Sequence, residues 1–282
     1  MQPNNTEYSQ PDLTRTLQEY QRKGKSLLAT NFYNYETLNG VLRAAQVLNE
    51  PLILQLTQSS LKYMGTRVAV NMARTAMKDF GVRGWLHLDH STSYDLVHEC
   101  LDNGFDSVMI DASEKPIEEN IQLTASVVRL AEKYNANVEA ELGYVAKLGQ
   151  SSELLAYTDP DEARSFVEAT NVHALAVAIG TVHGFYTKEP KLDLERLSRI
   201  RELVNIPLVL HGGSGIPGHM LREAVARGIC KINLATEIKN IFMETLKNDL
   251  ASSDEIDLRI VFPPAIAAVT GIVKGKLELL SA

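Results

Sequence analysis

Three histidines carry the chemistry this chain can do: His90, His183 and His211. Each lies at or just past the end of a short aliphatic run. Three imidazoles converging on one face can hold a divalent metal and leave a position open for substrate. A metal in such an open site acts as a Lewis acid. A lone histidine is more often a satisfied structural residue; three at corresponding strand ends point to a shared site. His87 lies two residues before Asp89 and shares its side of the strand, so it is a deeper, competing ligand. Asp111 and Glu141 end two further runs. They are candidate outer partners of metal-bound imidazoles, or alternate ligands when the metal moves. Asp89 is a candidate general acid–base beside a polarised carbonyl. It adjoins His90, so an ideal strand would point the two side chains apart. Both reach one site only where the strand end bends.

Two segments of small residues complete the set. Residues 211–215 read HGGSG and precede a helical pattern near Pro217. Residues 233–236 read NLAT and precede another beginning near Glu237. Backbone N–H groups and helix N-termini in such loops cradle phosphate, and glycine lets the backbone approach closely. Residues 180–186, GTVHGFY, offer carbonyls for a monovalent cation.

The elements that must position these groups alternate along the chain. Aliphatic runs occur at 26–32, 51–56, 84–90, 107–113, 137–143, 174–180, 207–213 and 230–236, separated by amphipathic stretches. Strand-then-helix repetition implies parallel strands with crossover helices. Eight units at roughly 30-residue spacing predict an α/β fold, a single-domain (β/α)8 TIM barrel, whose active site lies at the C-terminal strand ends. The doubly wound alternative lacks a G-x-G-x-x-G fingerprint after the first strand. The 282 residues divide into a flexible polar leader over 1–13 and a barrel domain over 14–282 with a C-terminal helical tail.

Composition narrows the partners. The net charge of −7 disfavours nucleic acid and anionic membranes. Cys100 and Cys230 are too few for a disulfide scaffold and fit a reducing compartment. No signal peptide or run of 18 apolar residues is apparent, so a cytoplasmic location is expected.

Six motifs carry a resemblance: HLDH (87–90), GFDSVMIDAS (104–113), VEAELG (138–143), AVAIGTVHGFYTKEPKLD (176–193), PLVLHGGSGIP (207–217) and KINLATE (231–237). From about Leu17 to the C-terminus the chain resembles class II, metal-dependent ketose-bisphosphate aldolases, closest to the tagatose-bisphosphate branch. The resemblance implies zinc on His90, His183 and His211, with Asp89 moving the proton at the aldehyde end. It implies that dihydroxyacetone phosphate is held by Gly184, by Gly212, Gly213 and Ser214, and by Asn233, Leu234, Ala235 and Thr236. Asn31 matches the family's asparagine near the first strand end, and Thr57 stands where many relatives carry Ser. Ala235 matches the tagatose branch, where fructose-specific relatives often carry Asp. A sodium or potassium ion near the phosphate and a homodimer or homotetramer are further expectations. The implied substrate is tagatose 1,6-bisphosphate or fructose 1,6-bisphosphate.

Two departures stand out. Relatives follow ELG with a loop whose carboxylate handles the carbon-bound proton. Here residues 142–152 contain no Asp or Glu, and Glu153 is the first acid downstream. Glu114 and Lys115 follow MIDAS where the tagatose branch commonly shows His and an apolar residue. These departures admit two other readings. One is a related lyase or epimerase-like enzyme on another sugar phosphate; the other is a non-catalytic partner subunit.

Overall fold

The computed structural model describes residues 12–145, 157–186 and 189–281. Eight parallel strands close into a barrel in chain order. They are β1 (Leu27–Asn31), β2 (Leu52–Thr57), β3 (Gly84–Ser91), β4 (Ser107–Ile110), β5 (Asn137–Leu142), β6 (Ala174–Val177), β7 (Leu208–Leu210) and β8 (Ile229–Leu234). β8 pairs with β1 through Leu27–Lys231 and Ala29–Asn233, which leaves no open edge. This is the single (β/α)8 barrel that the repeated units predict.

Two parities sort the strand residues. Leu28, Leu54, Leu86, Val108, Val138, Leu175 and Ile232 face the helices and join one continuous core with them. The other parity faces the barrel axis and is polar toward the mouth: Asn31, Gln55, Asp89, Glu139, Glu141, Lys231 and Asn233 are all buried. In β6 the residues paired with Glu139 and Glu141 are Ala174 and Ala176. Their small side chains leave space for long ones from the neighbouring strands.

Several helices start where polar caps satisfy their first N–H groups. Asn34 and Thr37 form a capping box ahead of helix Tyr35–Leu48. Asp159 caps Pro160–Thr170, whose first residue, proline, has no N–H to satisfy. Helix Leu13–Arg22 closes the N-terminal end of the barrel, with Leu13 and Leu17 packed on Leu27, Ile53, Trp85 and Cys230. Full burial of a leucine such as Leu17 is worth about 1.5–3 kcal/mol. Of the expected leader, only Asp12 and Leu13 are among the described residues. Asp12 caps this helix and Leu13 opens it.

Helix Leu258–Ser281 is long and apolar enough to span a membrane by length and composition. Here it is a wall helix: Ala265, Val269, Val273, Leu277 and Leu280 are buried. Gly40 permits the close crossing, because a Cβ there would lie 2.8 Å from Val269 side-chain atoms. Cys100 and Cys230 are free and buried, and burial pushes both thiols up to about 12.

Candidate active site

Asp89 and His90 both reach the mouth because β3 bends as it ends. Its register against β4 shifts between Leu88 and Ser91, and His90 has a φ of 49°. A non-glycine residue in that left-handed region is held there by its surroundings. Asp89 keeps the inward parity while the His90 ring swings in beside it. Its Nδ1 meets Asp111 Oδ2 at 2.8 Å.

The three rings cluster. Centroids are 4.9 Å apart for His90–His183, 4.6 Å for His90–His211 and 6.0 Å for His183–His211. One nitrogen from each lies within 4.8 Å of one from each of the others, and His90, Asp111 and Glu141 meet the same test. His90 Nε2, His211 Nδ1 and Glu141 Oε2 are buried without a hydrogen-bond partner. His211 Nδ1 lies 3.0 Å from Glu141 Oε2, off hydrogen-bond alignment. Buried polar atoms are normally paired. Several bare ligand atoms facing one spot suit a divalent cation, and the other nitrogens of two rings are already engaged. His90 Nδ1 donates to Asp111, and His211 Nε2 lies 2.9 Å from Glu139 Oε1. This is the outer-partner arrangement that orients imidazole ligands.

Charge is unevenly distributed among these groups. Burial, with the charges of His90 and His211 nearby, pushes His183 down to about 3. Burial also pushes His211 down, but Glu139 and Glu141 more than reverse it, to about 10. Burial opposes ionisation of Asp111, yet the His90 contact and two Ser113 bonds hold it well below the usual carboxylate range. Asp89 is likewise penalised by burial and pulled below its ordinary value by His90, His211 and Lys231. Its carboxylate accepts from Asn31 Nδ2 at 3.1 Å, Gln55 Nε2 at 3.3 Å and Asn233 Nδ2 at 3.3 Å. The acceptor oxygens of those three amides are buried and unpaired, so they remain available to donors on a bound molecule.

The small-residue segments lie at the ends of β7 and β8. Gly212 has a φ of +70°, and a Cβ there would stand 2.3 Å from Val182 O. Gly213 N donates to Asn233 O at 3.0 Å, tying the two segments together. Ala235 precedes helix Thr236–Leu250 and supplies no side-chain cap, so the first-turn N–H groups look to the neighbouring loop for partners. Ser214 Oγ accepts from Glu237 N at 3.3 Å. Gly184 has a φ of 106°. Leu234 turns its side chain into the outer core and its carbonyl accepts from Thr30 Oγ1 at 2.8 Å. Thr57 ends β2 and caps helix Gln58–Met64, accepting from Ser60 N at 3.3 Å. Glu153 lies outside the described residues.

Gln55, Glu139 and Lys231 belong to the site although no motif marks them individually. Each sits two residues before a residue that the sequence does single out, namely Thr57, Glu141 and Asn233. A charged or amide side chain on the inward parity of an aliphatic strand was the available signal.

A closed barrel whose C-terminal mouth gathers histidines, carboxylates and a loop pair at the last two strands defines a (β/α)8 enzyme of the metal-site class. The chain belongs to the class-II fructose-bisphosphate aldolase family, which it matches over residues 12–282. It is similar to the YdjI aldolase from Escherichia coli K12, with 33% identity over 95% of this chain and 96% of that one and a TM-score of 0.86. A putative fructose-1,6-biphosphate aldolase from Coccidioides immitis shows 26% identity over 96% of each chain, with a TM-score of 0.87. Fructose-bisphosphate aldolase from Campylobacter jejuni, at 22% identity over 95% and 94% and a TM-score of 0.81, shares the fold. The chain is thus a carbon–carbon lyase of a family that is generally metal dependent and acts on small phosphorylated sugars.

Proposed function

We propose that this chain is a zinc-dependent aldolase that reversibly cleaves a ketose 1,6-bisphosphate, of tagatose or fructose configuration, to dihydroxyacetone phosphate and an aldehyde. The bare, convergent nitrogens of His90 and His211 beside His183 carry this reading. A zinc ion on the three histidines, with Glu141 or Asp111 as alternate ligands, would supply Lewis-acid polarisation of the substrate carbonyl.

The chain's own residues do the rest. Asp89, ionised at neutral pH and oriented by Asn31, Gln55 and Asn233, takes the proton from the hydroxyl that becomes the aldehyde. The carbon–carbon bond breaks, and its electron pair moves toward the ketone to give an enediolate. Protonation at carbon then releases dihydroxyacetone phosphate; Glu153 is the candidate for that proton. Gly184, the segment Gly212, Gly213 and Ser214, and the segment from Asn233 to Thr236 would hold the phosphate, with the start of helix Thr236–Leu250 adding its N-terminal field. A sodium or potassium ion on carbonyls of residues 180–186 would share that charge. Ala235 stands where fructose-specific relatives often carry Asp, which supports the tagatose configuration. The resemblance to the family suggests assembly as a homodimer or homotetramer.

Metal analysis and an assay of dihydroxyacetone phosphate release from both bisphosphates test the reading. About one zinc per chain, activity abolished by chelation and restored by zinc are the expected results. Full activity after complete chelation refutes it.

A further inference from the structure

Below the mouth, the barrel interior holds a buried ammonium. Lys231 is 1% exposed, Glu139 1%, and His87 and His211 0%. Lys231 Nζ lies 2.6 Å from Glu139 Oε2 and 3.4 Å from His87 Nε2. An ammonium only donates, so these contacts dictate which partner atoms are bare.

We propose that Lys231 is a positioning residue that sets the hydrogen-bond polarity of the barrel interior and, through Glu139, leaves Nδ1 as the His211 nitrogen that a metal would take. The inference rests on the reading that the histidine trio holds a metal. On one side of Lys231, Glu139 is ion-paired through Oε2 and turns Oε1 toward His211. Its Oε1 faces His211 Nε2 at 2.9 Å, so that nitrogen carries a proton. The ligand atom left to His211 is Nδ1, which is the atom that lacks a hydrogen-bond partner. On the other side, His87 Nε2 faces the ammonium and must be bare. Its proton therefore sits on Nδ1 and is donated to Ser107 Oγ at 2.8 Å. Ser107 then donates to Asn137 Oδ1 at 3.2 Å, and Asn137 Nδ2 donates to Thr14 Oγ1 at 2.6 Å. One ammonium thus orders donors and acceptors from the metal-site histidine to the helix that closes the barrel floor.

A purely structural lysine and a polarity-setting one predict different variant orders. In Glu139→Gln, Lys231 attracts the amide oxygen and so aims the NH2 group at His211 Nε2. That nitrogen must then be bare, and the proton moves to Nδ1, the ligand atom. Zinc affinity measured by calorimetry should fall by about 10–100-fold. In Lys231→Met/Glu139→Gln the amide is free to turn its oxygen back to His211, and affinity should recover about tenfold, the worth of one hydrogen bond. A double variant that is folded by thermal melting yet binds zinc more weakly than Glu139→Gln overturns the proposal.

The parent supplies a measurement that needs no variant. Ring 15N shifts should place the His87 proton on Nδ1 with or without zinc, and the zinc-loaded His211 proton on Nε2. A His87 proton on Nε2 also overturns the proposal. A parent that binds no zinc but keeps the His87 proton on Nδ1 refutes the metal reading and leaves Lys231 its role.

Discussion

His90 Nδ1 lies 2.8 Å from Asp111 Oδ2, and the two residues hold each other in place. Asp111 N bonds back to Ser91 O at 2.7 Å, so β4 grips the bent end of β3 from both sides. That grip maintains the His90 backbone at a φ of 49°, a conformation costing on the order of 1–3 kcal/mol. The cost is offset by turning the ring, and its bare Nε2, toward His183 and His211.

Asp111→Asn should therefore loosen a ligand without removing it. The amide keeps its size, but the charge that orients and polarises the His90 ring is gone. Zinc affinity should drop by about 10–100-fold, read by calorimetry against the parent. An unchanged affinity would show that the ring is held by the β3 backbone alone.

Gly212→Ala tests the loop after β7. The φ of +70° disfavours any side chain, and the new methyl would stand 2.3 Å from the Val182 carbonyl. Because Val182 precedes His183 and Gly212 follows His211, relief of that clash must separate two of the three rings. The variant should lose about 2–4 kcal/mol of stability in urea unfolding and lose turnover with it. An alanine variant with the parent's midpoint and rate would refute the close approach.

Metal-free protein should be most stable near pH 6.5 and lose stability on both sides. Burial holds His87 and His183 down to about 3. Below about pH 6.5 the unfolded chain binds their protons and the folded chain does not, so stability falls as pH drops toward about 3. His211 behaves oppositely, since Glu139 and Glu141 push it up to about 10 despite its burial. The stability its proton brings is complete below about pH 6.5 and is lost as pH rises through about 10. Zinc replaces that proton and should flatten the alkaline limb. Melting temperatures of chelated protein across this range decide it; a monotonic profile would contradict the assignment.

The barrel was legible because its signals are local. Aliphatic runs separated by capped amphipathic helices repeat eight times, and His90, His183 and His211 mark strand ends by position. The interior was less legible because parity shows which side a residue faces, not what it meets across the axis. Glu139 and Lys231 are 92 positions apart, and only barrel closure joins them. Thr57 stands where many relatives carry Ser, yet its oxygen caps the next helix, a use that the match alone does not reveal. The bend that unites Asp89 and His90 was anticipated as a requirement, but its cause, a left-handed residue at a register shift, has no sequence signature here.

Glu237 sets the last test, because it places a carboxylate where an anion should bind. Its Oε1 accepts from Gly215 N at 2.6 Å and from Lys276 Nζ at 3.1 Å. Lys276 comes from helix Leu258–Ser281, and the two side chains are only 17% and 13% exposed. The lysine neutralises the carboxylate, while Glu237 itself ties the loop after β7 to the helix after β8, the two walls of the proposed phosphate cradle. In Lys276→Met the Glu237 charge would stand uncompensated beside the incoming phosphate. KM for the sugar bisphosphate should rise about tenfold with kcat little changed, matching the loss of one charge-assisted contact. Inhibition by inorganic phosphate should weaken by the same factor. Lys276→Arg should restore both values, and Lys276→Met/Glu237→Gln should recover most of the loss by removing the stranded charge. A Lys276→Met enzyme that loses kcat at constant KM would instead place the lysine in the chemistry and not in the cradle.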